Sequence, residues 1–284
     1  MKAFFIICFT IRMLTSVIML TSFTLFTSAL ANSKPERIVS ISPSLTEILF
    51  AIGAGSQVMA VDSYSNYPPE APITSLSALE PNMEAIAAFN PDLVVLSYDV
   101  GDLVKGLNKI GIETMVLPAA TDFEDILMQV KNLGKRTGNI EQADGLAAEM
   151  KSEMENLMYT MQGKGSLTIY HEIDENFYSP SSSSFIGSIY QLLNFTNIAD
   201  QADKDGYGYP KLSPEYILSS NPSMIVLPGK DPDYLNKLKS RPGWSAIDAV
   251  KEDRFLILDE DIGSRWGPRI IDFAKAIVKR ADWD

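Results

Sequence analysis

The side chains in this sequence that could do chemistry are one histidine, a serine-rich run, many carboxylates and a set of tyrosines. His171 is the only histidine and Cys8 the only cysteine. A serine hydrolase needs an activated serine beside a base, and the run SPSSSSFIGS (Ser179–Ser188) contains no G-x-S-x-G elbow. Its serines read instead as a loop that caps a helix starting at Phe185. One histidine also excludes a histidine-cluster transition-metal site, and no Walker or G-x-G-x-x-G phosphate loop is present. Nothing in the spacing of the 36 acidic residues points to a two-carboxylate glycosidase. No catalytic residue, cofactor or resident metal is expected.

The tyrosines fit binding better. Tyr64 follows the aliphatic run VMAV, Tyr98 follows LVVL, and Tyr207 and Tyr209 stand together in DGYGYP. His171 directly follows LTIY, while Asp261, Arg265 and Trp266 lie in DEDIGSRWGPR, just beyond RFLILD. If the aliphatic runs are parallel strands, these residues collect at their carboxyl ends, where open α/β sheets bind ligands. Tyrosine and tryptophan offer flat apolar faces with one polar handle, which suits a large planar ligand with a polar rim. His171 has two readings: an axial ligand to iron, or a histidine satisfied by its neighbours.

Two glutamates carry a different signal. In MEAIAAFNPDLVVL and again in PEYILSSNPSMIVL, a glutamate (Glu84, Glu215) stands six residues before an Asn-Pro pair, and an aliphatic strand follows. Asn82 and Ser213 are good N-caps, and an acid in a first turn complements the helix dipole. That explains one glutamate locally. A matched pair also fits docking of two separated charges onto a partner of similar symmetry.

The elements that must hold these residues follow a repeated pattern. Strands are expected at Arg37–Ile41, Val58–Val61, Leu93–Leu96 and Glu113–Leu117, with helices between them, which implies parallel βαβ units. Ser44 with Glu47 three residues on reads as a capping box for the first helix, ended by Gly53 and Gly55. From Ile140 to Met161 a helical rhythm continues without interruption apart from Gly145, a rod of roughly 33 Å. Beyond Gly163-Lys164-Gly165 the α/β pattern restarts with strands at Ser166–Tyr170, Met224–Leu227 and Arg254–Asp259. The expected architecture is α/β, with two Rossmann-like lobes of mainly parallel sheet (32–138 and 163–284) joined by a single rigid helix (139–162).

Residues 1–31 differ from the rest. They hold Lys2 and Arg12, no acid, an apolar run from Met13 to Phe26, and Ala29 and Ala31 in the small-x-small spacing of signal peptidase sites. A secretory signal cleaved before Asn32 is expected, with an uncleaved membrane anchor as the alternative. Cys8 lies upstream of that site and is not a lipid-attachment cysteine. The whole chain carries a net charge of −12, and losing this basic segment makes it more negative. Such a surface disfavours nucleic acid.

RIVSISPSLTEILFAIGAG, SYSNYPPEA, NMEAIAAFNPDLVVL, the long helix and KLSPEYILSSNPSMIVL together resemble the periplasmic substrate-binding proteins of ABC importers for cobalamin, haem and ferric siderophores, over the whole span from Glu36 onward. The resemblance is nearest to the cobalamin-binding type. It implies a ligand cleft between two lobes and little hinge closure. It also implies a monomer in the periplasm that delivers a small-molecule ligand to a dimeric inner-membrane permease served by ATPase subunits. It places Glu84 and Glu215 at the permease-docking positions, and Tyr64 and Asp261 at ligand-contacting ones. Tyr98 and Tyr209 stand where those proteins often carry tryptophan, and another cleft tryptophan is replaced near Leu79. A corrinoid bound by stacking is the first expectation. A ferric siderophore, met by Arg265, Arg269 and Lys211, or haem on His171, stays open. From another class, so does an envelope interaction module with no small-molecule ligand.

Overall fold

A computed structural model describes residues 34–165, 167–229, 231, 233–258, 262 and 265–282. The expected signal segment, residues 1–31, and Asp261 lie outside the described residues. Among those described, no helix is long and apolar enough to cross a membrane.

Two parallel four-stranded sheets form the frame. In the first, β1 (Ile38–Ile41), β2 (Val58–Val61), β3 (Leu93–Leu96) and β4 (Glu113–Val116) take the order β2-β1-β3-β4. In the second, β5 (Leu167–His171), β6 (Phe195–Asn197), β7 (Met224–Pro228) and β8 (Phe255–Leu258) take the equivalent order β6-β5-β7-β8. The central strands are apolar throughout because both faces are covered. Leu93 and Val95 of β3 face one apolar cluster while Val94 and Leu96 face another, and β7 splits Met224 and Val226 from Ile225 and Leu227 in the same way. This is the period-two alternation of a strand with helices on both sides.

The helices are α1 (Pro43–Ala51), α2 (Met83–Ala87), α3 (Leu103–Lys109), α4 (Phe123–Thr137), α5 (Ile140–Gln162), α6 (Phe185–Leu192), α7 (Pro214–Ser220), α8 (Tyr234–Lys239), α9 (Asp248–Lys251) and α10 (Ile270–Arg280). The long α5 runs between the two sheets in sequence, with α4 and α10 packed against it. One apolar cluster continues from Ile38 and Leu45, through Val130, Ala147 and Met154, to Ile169, Tyr190 and Phe273. Bending the lobes apart would expose that shared core, so its burial holds them in one arrangement.

The capping box is corrected. Helix α1 begins two residues earlier than expected, with Ser42 at the N-cap and Pro43 at the first position, where a missing N–H is harmless. Ser44 is buried inside the helix, and Glu47 is also buried, paired with residues more than two hundred positions away. Five elements escaped the sequence reading: α4, α8, α9, α10 and the three-residue β6.

Candidate functional site

A pocket of about 340 Å³ opens at the carboxyl ends of the first sheet. Ile41, Ser42, Pro43 and Ser44 line it where β1 passes into α1. Tyr64 comes from the loop after β2, Ser97 and Tyr98 from the end of β3, Ala78 and Leu79 from the loop before α2, and Arg265 and Trp266 from the segment before α10. Tyr64, Leu79 and Tyr98 are 58%, 63% and 48% exposed, so their apolar surface faces solvent with nothing covering it. The buried hydroxyls of Ser42 and Ser97 bond to each other at 2.6 Å beneath these groups. The Tyr98 hydroxyl donates to the Ala78 carbonyl (3.1 Å), which ties the two sides of the pocket together. The sequence reading missed the serines, although both sit at strand ends, where it expected ligand contacts.

The loop that carries Tyr64 is anchored from below. Asp62, fully buried, accepts from the Tyr64 N–H (2.8 Å) and the Ser65 hydroxyl (2.7 Å), and Ser65 reaches Thr46 at 3.0 Å. Arg265 Nη2 donates to the Tyr64 carbonyl at 3.0 Å. Arg265 also donates to Glu47 Oε1 (3.0 Å). Arg269 binds both oxygens of the same carboxylate (2.9 and 2.5 Å) and stacks over the Tyr67 ring at 4.1 Å. Two cations that the sequence assigned to an anionic ligand are therefore paired with one buried carboxylate. Lys211, the third, stands 6.0 Å from the Tyr178 ring centroid.

In the second lobe, Tyr207 and Tyr209 lie outside the lining of this pocket, on a loop held at the start of α6. The Ser181 N–H donates to the Gly208 carbonyl, and the Gly208 N–H donates to Asp203. Gly208 has φ +84°, and a Cβ there would meet Ser184 at about 3.2 Å, so both backbone and space demand glycine. Tyr207 is exposed; Tyr209 is half exposed, and partial burial raises its phenol pKa against a hydrogen bond from Ser184. His171 ends β5 and does not line this pocket. Its Nδ1 is 2.8 Å from the Tyr190 hydroxyl, the rings meet edge to face at 6.0 Å, and burial pushes its pKa down to about 3. The histidine is satisfied by its neighbour. Among the described residues, no group of three or more histidines and carboxylates is arranged to hold a metal ion.

Glu84 and Glu215 lie away from the pocket lining, each exposed and each second in its helix, α2 or α7. The expected caps are present: Asn82 accepts from Ala85 N–H at 2.8 Å and Ser213 from Tyr216 N–H at 3.1 Å.

Two parallel α/β lobes with an aromatic pocket at a strand-end face have the make-up of a solute-binding protein. Residues 38–262 match the family model described as periplasmic binding protein, and the chain belongs to that family. The vitamin B12-binding protein of Salmonella typhimurium is 30% identical over 247 residues, covering 85% of this chain and 88% of that protein. That of Pectobacterium carotovorum is 29% identical over 271 residues, covering 92% and 93%. The fold also matches a solved structure described as a possible iron-binding (periplasmic solute-binding) protein of Staphylococcus epidermidis, with TM-score 0.76 and 25% identity over 87% of this chain and 99% of that one.

Proposed function

We propose that this chain captures a corrinoid such as cobalamin and delivers it to a dimeric ABC permease served by ATPase subunits. It acts in the periplasm as a monomer, after cleavage of residues 1–31. One observation carries the choice of ligand: the pocket joins the exposed faces of Tyr64, Tyr98 and Leu79 and the half-buried Trp266 to a hydroxyl floor, while its arginine is already paired. Such a site rewards a large planar ligand with neutral polar groups on its rim. An anionic chelate would need cations, and Glu47 holds the two that were expected to serve. Two relatives named for vitamin B12 point the same way. In this reading, Tyr207 and Tyr209 close the ligand from the second lobe, Asp261 hydrogen-bonds its rim, and Glu84 and Glu215 dock on the permease.

A ferric chelate is the second reading, favoured by the structural likeness to a possible iron-binding protein. Haem is less well served, since His171 is held by Tyr190. Calorimetric titration of residues 32–284 with cyanocobalamin, haemin and a ferric catecholate separates the three. Submicromolar binding of cyanocobalamin alone supports the proposal. Preferential binding of the ferric catecholate, or a haemin Soret band lost in His171→Ala, would replace it.

A further inference from the structure

A carboxylate that does not line the pocket holds one of its walls. Glu47 belongs to α1 in the first lobe, and it is 3% exposed. Around it close three residues of the segment that supplies Trp266. Arg265 donates to Oε1 at 3.0 Å, and Arg269 donates to Oε2 at 2.9 Å and to Oε1 at 2.5 Å. Gly267 lies so near that a Cβ there would come within 3.4 Å of Oε2. Trp266 sits between two of these contacts, half-buried and packed against the shared core. Its indole N–H is buried without a hydrogen-bond partner, a costly state that persists only when the surroundings impose it.

The restraint reaches a second wall. Arg265, held by Glu47, donates its other terminal nitrogen to the Tyr64 carbonyl, while Asp62 holds the Tyr64 N–H. The segments that carry Trp266 and Tyr64 are therefore both tied to one buried anion. We propose that Glu47 is the positioning residue of the binding pocket. It contacts no ligand, but it sets the geometry of the Trp266 and Tyr64 walls, and with it affinity and selectivity. A pocket wall held by interlocked supporting groups loses affinity when the support loosens, even if every ligand-contacting side chain remains. The part of this inference that concerns affinity rests on the binding role proposed above; the part that concerns wall position does not.

The test uses the chain from residue 32 onward, labelled with 5-fluorotryptophan. Its three tryptophans give three fluorine resonances, with Trp266 assigned by Trp266→Phe. In ligand-free Glu47→Gln, the Trp266 resonance should shift or broaden while that of Trp244, buried in the second lobe, stays in place. Cyanocobalamin affinity should fall by about tenfold or more, with circular dichroism unchanged. Arg269→Gln, which removes one arm and leaves the pocket lining intact, should give smaller changes in the same direction; it decides the matter if Glu47→Gln does not fold. An unmoved Trp266 resonance in the folded variant would overturn the proposal. So would a moved resonance with affinity within about twofold of the wild type. A wild type that binds no cyanocobalamin refutes the choice of ligand alone, because the ligand-free resonance still reads the wall.

Discussion

Glu84 and Glu215 occupy the same station in the two lobes: each is the second residue of a short, capped helix, exposed, and six residues before an asparagine in the left-handed region (Asn90, φ +48°; Asn221, φ +44°). Each asparagine ends its helical segment and a proline begins the approach to the central strand. The left-handed turn is open to asparagine at little steric cost. The matched stations place two carboxylates on equivalent corners, and among the described residues neither has an ion-pair partner.

Charge reversal at both positions, Glu84→Lys with Glu215→Lys, should therefore abolish ligand delivery to permease reconstituted in vesicles. Ligand affinity should stay within about threefold, since neither residue lines the pocket and exposed charges are screened. A large loss of affinity with delivery per bound ligand intact would assign the glutamates to the cleft.

Tyr98→Ala and Tyr209→Ala should each weaken ligand binding by about 1–3 kcal/mol, the usual scale for removing a stacked aromatic anchor. Calorimetry on both variants checks this. Unchanged affinity in Tyr209→Ala would remove the second lobe's tyrosine loop from the site.

His171 should leave a mark on the pH dependence of stability. Burial holds its pKa at about 3, while an unfolded chain titrates near ~6.5. As pH falls below ~6.5 the unfolded state takes up a proton that the folded state refuses, so stability is lost from there toward about pH 3; above ~6.5 the group is neutral in both states and contributes nothing. Urea midpoints measured at about pH 7 and pH 5 should fall more for the wild type than for His171→Gln. Parallel curves would show that the imidazole is freely solvated.

Arg241 is predicted to matter for stability. It meets Glu172 through two bonds of 2.7 Å and stacks over Trp244 and Phe177, while Tyr170 and Tyr234 donate to the same fully buried carboxylate. Arg241→Ala leaves that anion without its cation and should cost about 3–5 kcal/mol. Chemical denaturation reads this directly, and a change below about 1 kcal/mol would mean that the phenols alone satisfy the carboxylate.

The strands and the long helix were legible because their signals are local. β3 and β7 are unbroken aliphatic runs, and α5 keeps its rhythm from Ile140 to Met161 and stops at Gly163. Helix α4 was legible too and went unread: Asp122 caps it, Glu124 and Asp125 open it, apolar residues recur at Phe123, Ile126, Leu127, Val130 and Leu133, and Gly138 closes it with φ +73°. β6 is only three residues long, too short to show alternation. The pairing of Glu47 with Arg265 and Arg269 spans more than two hundred residues, and no local pattern announces it. The sequence reading accordingly placed Glu47 at a helix cap and both arginines in front of a ligand. Tyr64, Tyr98, Arg265 and Trp266 do meet in one pocket, because strand-end positions follow from strand assignments.

Under the proposed function a corrinoid lies against the strand-end face of the first lobe. Anomalous diffraction at the cobalt edge, from crystals of residues 32–284 grown with cyanocobalamin, tests it most directly. One cobalt peak is expected, in front of Tyr64, Tyr98 and Trp266. No peak, or a peak away from these residues, would contradict it.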